Sequence, residues 1–302
     1  EGESVRILVP SKAHESRARR VLKKVGAATE RVEFFRWPTD RGWIRDFGPI
    51  FVRRDHPEPE VAIARFRFNA WALYSDWKRD DLVPERVARA FDLKLRRAVF
   101  KGRPVVLEGG ALDVNGLGAA LTTEECLLDP FVQVRNPGFK RADYERVLLE
   151  NLGAHHTIWL GRGIAGDDTH GHVDDLARFV NERTIVLCRE ADSSDPNHRV
   201  LEENHDRLQD ARLADGTRPE VVELPMPSPL VFDGRRLPAS YANFYIANAC
   251  VLVPTFNDPN DRVALGTLAE LFPDRPVVGI HAVDLVWGLG TLHCLTQQQP
   301  KV

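Results

Sequence analysis

Near its end the chain reads GLGTLHCLTQQQP, Gly288 to Pro300. A histidine and a cysteine stand side by side, two glycines lead in, and three glutamines follow. Chain ends usually fray, so a thiol here is either a small buried hydrophobe or a nucleophile whose terminus is held down. As a nucleophile Cys294 has to ionise, and an ordinary thiol with a pKa of about 8.5 is mostly protonated at neutral pH. Gly288 and Gly290 allow a loop to close tightly around a ligand. Gln297, Gln298 and Gln299 supply amide donors and acceptors able to fix that loop.

Three other stretches carry groups that could work with this thiol. WIRDFGP holds Arg45 beside Asp46; in a strand these neighbours face opposite ways, so only one of them faces a given pocket. VVLEGGAL places Glu108 before two glycines, which permit close backbone approach or positive φ. DDTHGHVDDLARF holds His172 and Asp174. As strand residues i and i+2 they share a face, an imidazole beside a carboxylate suited to acid–base work. The same stretch also reads as a turn whose histidine caps a helix. In a further reading, His170, His172, Asp174 and Asp175 resemble a metal-ligand run of hydrolases, with Asp175 where that run has a histidine.

One thiol, one imidazole and three carboxylates suit a cationic substrate, because buried anions need compensation. Two carboxylates can grip a planar guanidinium through paired hydrogen bonds. A cysteine can then attack its central carbon while the histidine protonates the departing nitrogen. The chemistry is hydrolysis of a guanidine C–N bond.

The elements that must position these groups recur with a period of about 60 residues. DPNHRV (Asp195 to Val200) and DPNDRV (Asp258 to Val263) keep that beat, as do Cys126, Cys188 and Cys250, and as do Asp46, Glu108 and His172. Amphipathic helical runs begin near His14, Asp81, Lys140, His198 and Asp261. Strand candidates between them include VRILVP, VAIARFRF, PVVLEGGAL, TIWL, LARFV, VVELPM and PVVGIHAVDLV. Five such α/β units cannot bury their apolar faces alone, and in a ring they would share a core and point loops at one axis. An ordinary doubly wound α/β domain is the alternative. No Gly/Ser linker divides the 302 residues, so the expectation is one domain over 1–302.

A formal charge of −3 offers no footprint for nucleic acid, and RARRVLKK (Arg17 to Lys24) reads as the solvated face of a helix. No apolar run approaches the roughly 20 residues of a membrane helix. Four cysteines without close pairs point to reduced thiols and a cytoplasmic protein. The chain opens on Glu1, consistent with a trimmed start.

In order along the chain, WIRDFGP, RFNAW, LEGGALDVNGLGAALTTEECLL, DDTHGHVDDLARF, SYANFYIANACVLVPTFNDPND and HCLTQQQP resemble the agmatine deiminases and the related bacterial-type peptidylarginine deiminases. That resemblance implies a five-bladed β/α propeller, the pentein fold of guanidino-group-modifying enzymes. It implies Cys294 as nucleophile, His172 as general acid and base, and Asp46 and Asp174 as guanidinium ligands. Glu108 would support His172 or the substrate, Trp43 would line the pocket, and Asn243 would form its wall or stand just behind it. The implied reaction is agmatine to N-carbamoylputrescine and ammonia through a covalent thiouronium, with no cofactor and no metal. The expected partner is a small cationic guanidine, and a homo-oligomer is allowed. The family's N-terminal PxE…H…WLAWP segment is absent.

Three stretches depart from the family's usual pattern: DRGW (Asp40 to Trp43) for NDSW, FNAWALY for FNAWGG at Ala72 and Leu73, and GLGTLHC for GGGNIHC at Leu289 and Thr291. All three are expected to alter how the far end of the substrate is held. Free or peptide-terminal arginine, an amidinotransferase, a metal hydrolase built on His170 and His172, and a silent guanidine binder are the competing readings.

Overall fold

Each of the five amphipathic runs forms a helix: Lys12–Lys24, Val83–Ala90, Arg141–Leu152, Pro196–Asp210 and Asn260–Leu271. The computed structural model describes residues 2–301. Local chemistry sets several of the helix ends. The Ser11 side chain accepts from the His14 N–H, and Asp195 accepts from the Asn197 N–H beside Pro196. Gly153, left-handed at φ 71°, closes the third helix.

Every one of these helices connects two parallel strands. They are Val5–Leu8 with Val32–Phe35, Glu60–Arg65 with Lys94–Arg97, Ala119–Thr123 with His156–Leu160, Thr184–Arg189 with Glu220–Pro225, and Val251–Thr255 with Val277–His281. Parallel pairing needs such a crossover. In the last four units a further strand pairs antiparallel: Ile50–Arg54, Asp113–Val114, Ala177–Phe179 and Tyr245–Ile246. The result is four three-stranded sheets and one two-stranded sheet, plus two small hairpins. The Asn248 backbone N–H donates to Glu3, so the first unit meets the last.

The central strands are buried almost throughout, and Leu187, Leu201, Leu224 and Leu268 join one large apolar core. Helix Lys12–Lys24 buries none of its residues, so RARRVLKK does lie outside the core. Among the described residues no helix is long and apolar enough to cross a membrane.

One strand expectation needs correction here. PVVLEGGAL is not a strand. After Arg103–Pro104 only Val106 bridges to Arg67, and a 3-10 turn follows at Gly109–Ala111. The chain turns there because Gly109 lies against Arg45, where a Cβ would come within 2.2 Å of the Arg45 carbonyl oxygen. Cys126 lies on a short helix, Glu124–Leu128, started by the Thr123 hydroxyl accepting from the Cys126 N–H. Cys250 is half-buried, unlike the buried Cys126 and Cys188.

Leu187→Ala removes a side chain from the centre of this core and should lower stability by about 2–5 kcal/mol. Denaturant unfolding would measure it, and a loss below about 1 kcal/mol would contradict the tight packing described.

Candidate active site

The polar residues singled out above sit on turns just before the antiparallel strand of a unit, and the chain's end comes to meet them. Asp46 lies on the four-residue helix Ile44–Phe47, not on a strand. That helix sends its neighbouring side chains apart, Asp46 into the site and Arg45 toward the C-terminal segment. His172 begins a 3-10 turn at Val173–Asp175, again not a strand. Asp167 curls the chain there by accepting from the Gly171 and His172 N–H groups at 2.8 and 3.1 Å. His172 and Asp174 nevertheless face each other, with Nδ1 4.0 Å from Oδ1.

His172 is almost fully enclosed. Its Nδ1 is 3.7 Å from Asp46 Oδ1, and its Nε2 is 3.6 Å from Glu108 Oε2. Asp46 is held by the Trp71 indole N–H at 3.0 Å and the Gly110 N–H at 3.1 Å. Gly110 is small by necessity. A Cβ there would lie 2.6 Å from His172 Nδ1, 2.7 Å from Asp46 Oδ1 and 3.1 Å from Asp174 Oδ1, so three polar atoms converge on the space it leaves. Close approach, not positive φ, is what the EGG glycines provide.

Cys294 Sγ receives a hydrogen bond from Asn243 Nδ2 at 3.2 Å and lies 3.9 Å from Asp174 Oδ2. Asn243 also donates to Asp175 at 2.9 Å, while its Oδ1 accepts from Thr291 Oγ1 at 2.7 Å and the His293 N–H at 3.0 Å. His293 Nδ1 is 2.6 Å from Asp174 Oδ2. Arg45 clamps the terminus: its N–H donates to the Cys294 carbonyl at 3.0 Å, its Nε to the His293 carbonyl at 3.3 Å, and its Nη1 to Gln298 at 2.7 Å. Arg6 donates to Gln299 at 2.6 Å. Two of the three glutamines thus tie the tail down.

Burial and charge set the protonation states. Burial, with repulsion from Glu108, raises Asp46. Burial and Asp46 push Asp174 up to about 7, and burial with Asp174 raises Asp175 well above the carboxylate range. Burial works against the charge of Glu108, yet Arg135 and then His172 hold it down at about 2. Burial likewise opposes the His172 imidazolium, but Asp46 and Glu108 hold its pKa well above that of an ordinary histidine. The Cys294 thiol is driven well above its usual value by burial and by Asp174, Asp175 and Asp46.

A pocket of about 340 Å³ opens onto this cluster. Cys294, His172, Asp46, Asp175, Trp43 and Trp71 form part of its wall, with Arg41, Tyr74, Asp76, Asp168 and Leu289 also facing it. Glu108 and Asn243, expected among the substrate contacts, do not line it but stand behind His172 and Cys294, and Asp174, expected as a guanidinium ligand, is likewise fully buried behind a wall that includes Asp175. His170 turns to Asp129, 2.9 Å away, so it does not converge with His172 on one ligand set. Two trios bring potential metal-ligand atoms within 4.8 Å, Glu108–Cys126–His172 and Asp174–Asp175–Cys294, and both are parts of this one cluster.

Of the departures, Ala72 and Leu289 adopt the left-handed conformation that favours glycine, at φ 55° and 68°, while Leu73 does not. Arg41 and Leu289 face the pocket, whereas Thr291 serves Asn243 and reaches no substrate end. Arg45, Arg135, Trp71, Asp175 and His293 were not among the predicted site residues. Four of them lie inside motifs already quoted, so position alone could have flagged them. Arg135, in FVQVRNP, carried no signal.

Comparison with known proteins places these features in context. The model of the Porphyromonas-type peptidyl-arginine deiminase family matches residues 1–300. A Latilactobacillus sakei protein provisionally named agmatine deiminase is 38 % identical over 281 residues, 85 % of this chain and 74 % of that protein. A solved Porphyromonas gingivalis protein, provisionally named an arginine deiminase, superposes with a TM-score of 0.87 at 38 % identity, covering 99 % of this chain and 86 % of that one. The agmatine deiminase of Enterococcus faecalis gives 0.89 at 32 %, covering 99 % and 83 %. At 11 % identity a dimethylarginine dimethylaminohydrolase, 98 % covered in both chains, reaches 0.50 and shares the α/β pentein fold.

Arg45→Met should free the tail. Carboxypeptidase trimming past Gln298 should speed up by about 10-fold or more, since a charge-assisted clamp is lost. Trimming at the wild-type rate would show that the tail is held by something else.

Proposed function

The chain belongs to the Porphyromonas-type peptidyl-arginine deiminase family, and from that premise we propose that it hydrolyses a guanidine C–N bond with Cys294 as nucleophile. The observation that carries this reading is the surplus of buried carboxylates around the Cys294 thiol and the His172 imidazole. Glu108 is balanced by Arg135, 3.2 Å away, and His172 stands 3.7 Å from Asp46, but among the described residues no Lys or Arg pairs with Asp174 or Asp175, and the cluster awaits a cation. A guanidinium between Asp46 and Asp174 would supply it through charge-assisted hydrogen bonds. The same cation offsets the field that keeps the thiol protonated, so ionisation of Cys294 follows substrate entry.

The thiolate attacks the central carbon and forms a neutral tetrahedral adduct. His172, held as imidazolium by Asp46 and Glu108, gives its proton to the leaving nitrogen. Ammonia departs and a cationic thiouronium remains on Cys294. The now neutral His172 takes a proton from water, and the hydroxide adds to the same carbon. The C–S bond then breaks while the adduct's hydroxyl proton passes to the departing sulfur, so the neutral ureido product leaves and the Cys294 thiol is restored, replacing the proton it gave to solvent on ionising.

We also read the five strand–helix–strand units as the blades of a five-bladed propeller. In support, the turns carrying Asp46, Glu108, His172 and Asn243 each lead into a successive unit, and all four gather around one centre with Cys294, Asp46 and His172 in the pocket wall and Glu108 and Asn243 behind it. The four free thiols suit the reducing compartment in which we place the protein.

The names of its relatives favour agmatine as substrate, with N-carbamoylputrescine as product. A second reading rests on Arg41, which faces the pocket and lies over the rings of Trp71 and Tyr74 at 5.3 and 5.0 Å. The Arg41 side chain is largely buried and pairs with the enclosed Asp80 at 3.5 Å and with Asp76 at 2.7 Å; Asp80 holds it in place, and Asp76, itself exposed, is the partner that a substrate carboxylate could displace. Asp168, bonded to the Tyr74 hydroxyl at 2.8 Å, could take an amine. This arrangement favours arginine with its carboxylate free.

Ammonia release from agmatine, L-arginine and peptides ending in arginine separates the two. Highest kcat/KM on agmatine supports the first reading. Preference for the carboxylate-bearing compounds, lost in Arg41→Ala, supports the second. Mass spectrometry of enzyme quenched during turnover should show the substrate-derived adduct on Cys294. Ammonia from none of the three, or turnover undiminished in Cys294→Ser, would overturn guanidine hydrolysis by this thiol.

A further inference from the structure

His293 stands beside the nucleophile, is 4 % exposed, and approaches Asp174 more closely than any other group described around that carboxylate. We infer that His293 is a positioning residue: as a neutral imidazole it donates its Nδ1 proton to Asp174 Oδ2, fixes which carboxylate oxygen faces the substrate, and leaves that carboxylate its full charge. The inference rests on the guanidine-hydrolysis reading above and deepens it.

The two oxygens of Asp174 are treated differently. Oδ2 lies 2.6 Å from His293 Nδ1 and 3.4 Å from Asn243 Nδ2. Oδ1 has no hydrogen-bond partner among the described residues, although it is buried. It is the oxygen that converges with Asp46 Oδ1 and His172 Nδ1 over Gly110. A buried acceptor without a donor is costly unless something arrives to satisfy it, and a guanidinium N–H is the donor the cluster lacks. Removing the His293 donor would let the carboxylate rotate and share its oxygens between Asn243 and the substrate.

His293 itself cannot drift. Its N–H donates to Asn243 Oδ1 at 3.0 Å, and its carbonyl accepts from Arg45 Nε at 3.3 Å. Once a cation has entered and Asp174 is ionised, its carboxylate only accepts, so the ring nitrogen facing it has to carry a proton. Burial, Arg178, Arg45 and His172 all disfavour a second proton and hold the His293 pKa well below that of an ordinary histidine. Neutrality matters chemically. An imidazolium at this distance would cancel the negative charge that a cationic substrate requires.

The test compares donors at one position. His293→Asn keeps an N–H near the place of Nδ1, whereas His293→Ala and His293→Leu remove it. Guanidinium binding is measured by calorimetry, and kcat and KM are measured on the substrate that wild type turns over fastest. The Ala and Leu variants should lose about 10- to 100-fold in guanidinium affinity and in kcat/KM, with KM carrying most of the change. The Asn variant should stay within about threefold of wild type, because a donor to the charged oxygen is retained. Equal impairment of Asn and Ala would show that His293 only fills space. Unchanged guanidinium binding in Ala, or a loss confined to kcat, would also overturn the proposal. Should both truncations fail to fold, His293→Gln takes their place, since it keeps the bulk and moves the donor. If wild type hydrolyses no guanidine, the functional reading fails, while the calorimetry alone still decides the role of His293.

Discussion

Asp46, Glu108, Asp174 and Asp175 are buried around the His172 imidazole and the Cys294 thiol, and like charges taken out of water together repel strongly. Much of the surrounding architecture can be read as a response to that constraint. Arg135 answers Glu108 from the far side and also donates to the Thr169 carbonyl. His172 is kept charged, Asp174 is lifted to about 7, and Cys294 is kept protonated. With Glu108 answered by Arg135, Asp46 by the His172 imidazolium and Asp175 held toward its neutral form, an ionised Asp174 leaves the free site short of one positive charge, in a pocket sized for a small molecule. An arriving cation supplies that charge and shifts the protonation states toward those the chemistry needs.

The scaffold brings the groups together by turns, not by regular strands. Four successive units each begin with a turn bearing a polar residue, and the tail closes the remaining gap. Close packing at these turns requires small residues, as Gly109 against Arg45 and Gly110 against His172 show. Elsewhere the backbone takes up strain. Ala70, Trp71 and Ala72 are all left-handed, at a cost of about 1–3 kcal/mol each, and this kink lets the Trp71 indole N–H reach Asp46. Leu289 is held the same way on another part of the pocket wall. Two of the four positions, Ala72 and Leu289, stand where the resemblance leads one to expect glycine, the residue best suited to this conformation.

Much of this was legible in the chain itself. The five helices follow from i, i+3, i+4 spacing and from their capping residues, because an amphipathic stripe is a strong local signal. The parallel strands within VAIARFRF and VVELPM are legible as apolar runs for a similar reason. The turns at Asp46, Glu108 and His172 were not, because strand alternation and a 3-10 turn can present the same residues. Only long-range contacts, such as Gly109 with Arg45 and His172 with Asp46, choose between them. Arg135 was invisible because a loop arginine has no pattern until its partner is known. His293 was overshadowed by the cysteine beside it, and Thr291 was placed at the substrate's far end when its hydroxyl in fact holds Asn243.

The account depends most on the claim that Cys294 is protonated until a cation enters. The ultraviolet absorbance of the thiolate, followed against pH with Cys294→Ala as the blank, tests this directly. In the free protein the Cys294 transition should lie well above that of an ordinary thiol, and saturating guanidinium should move it down toward neutrality. A thiolate already present at neutral pH without any cation, or a transition that guanidinium leaves in place, would contradict it.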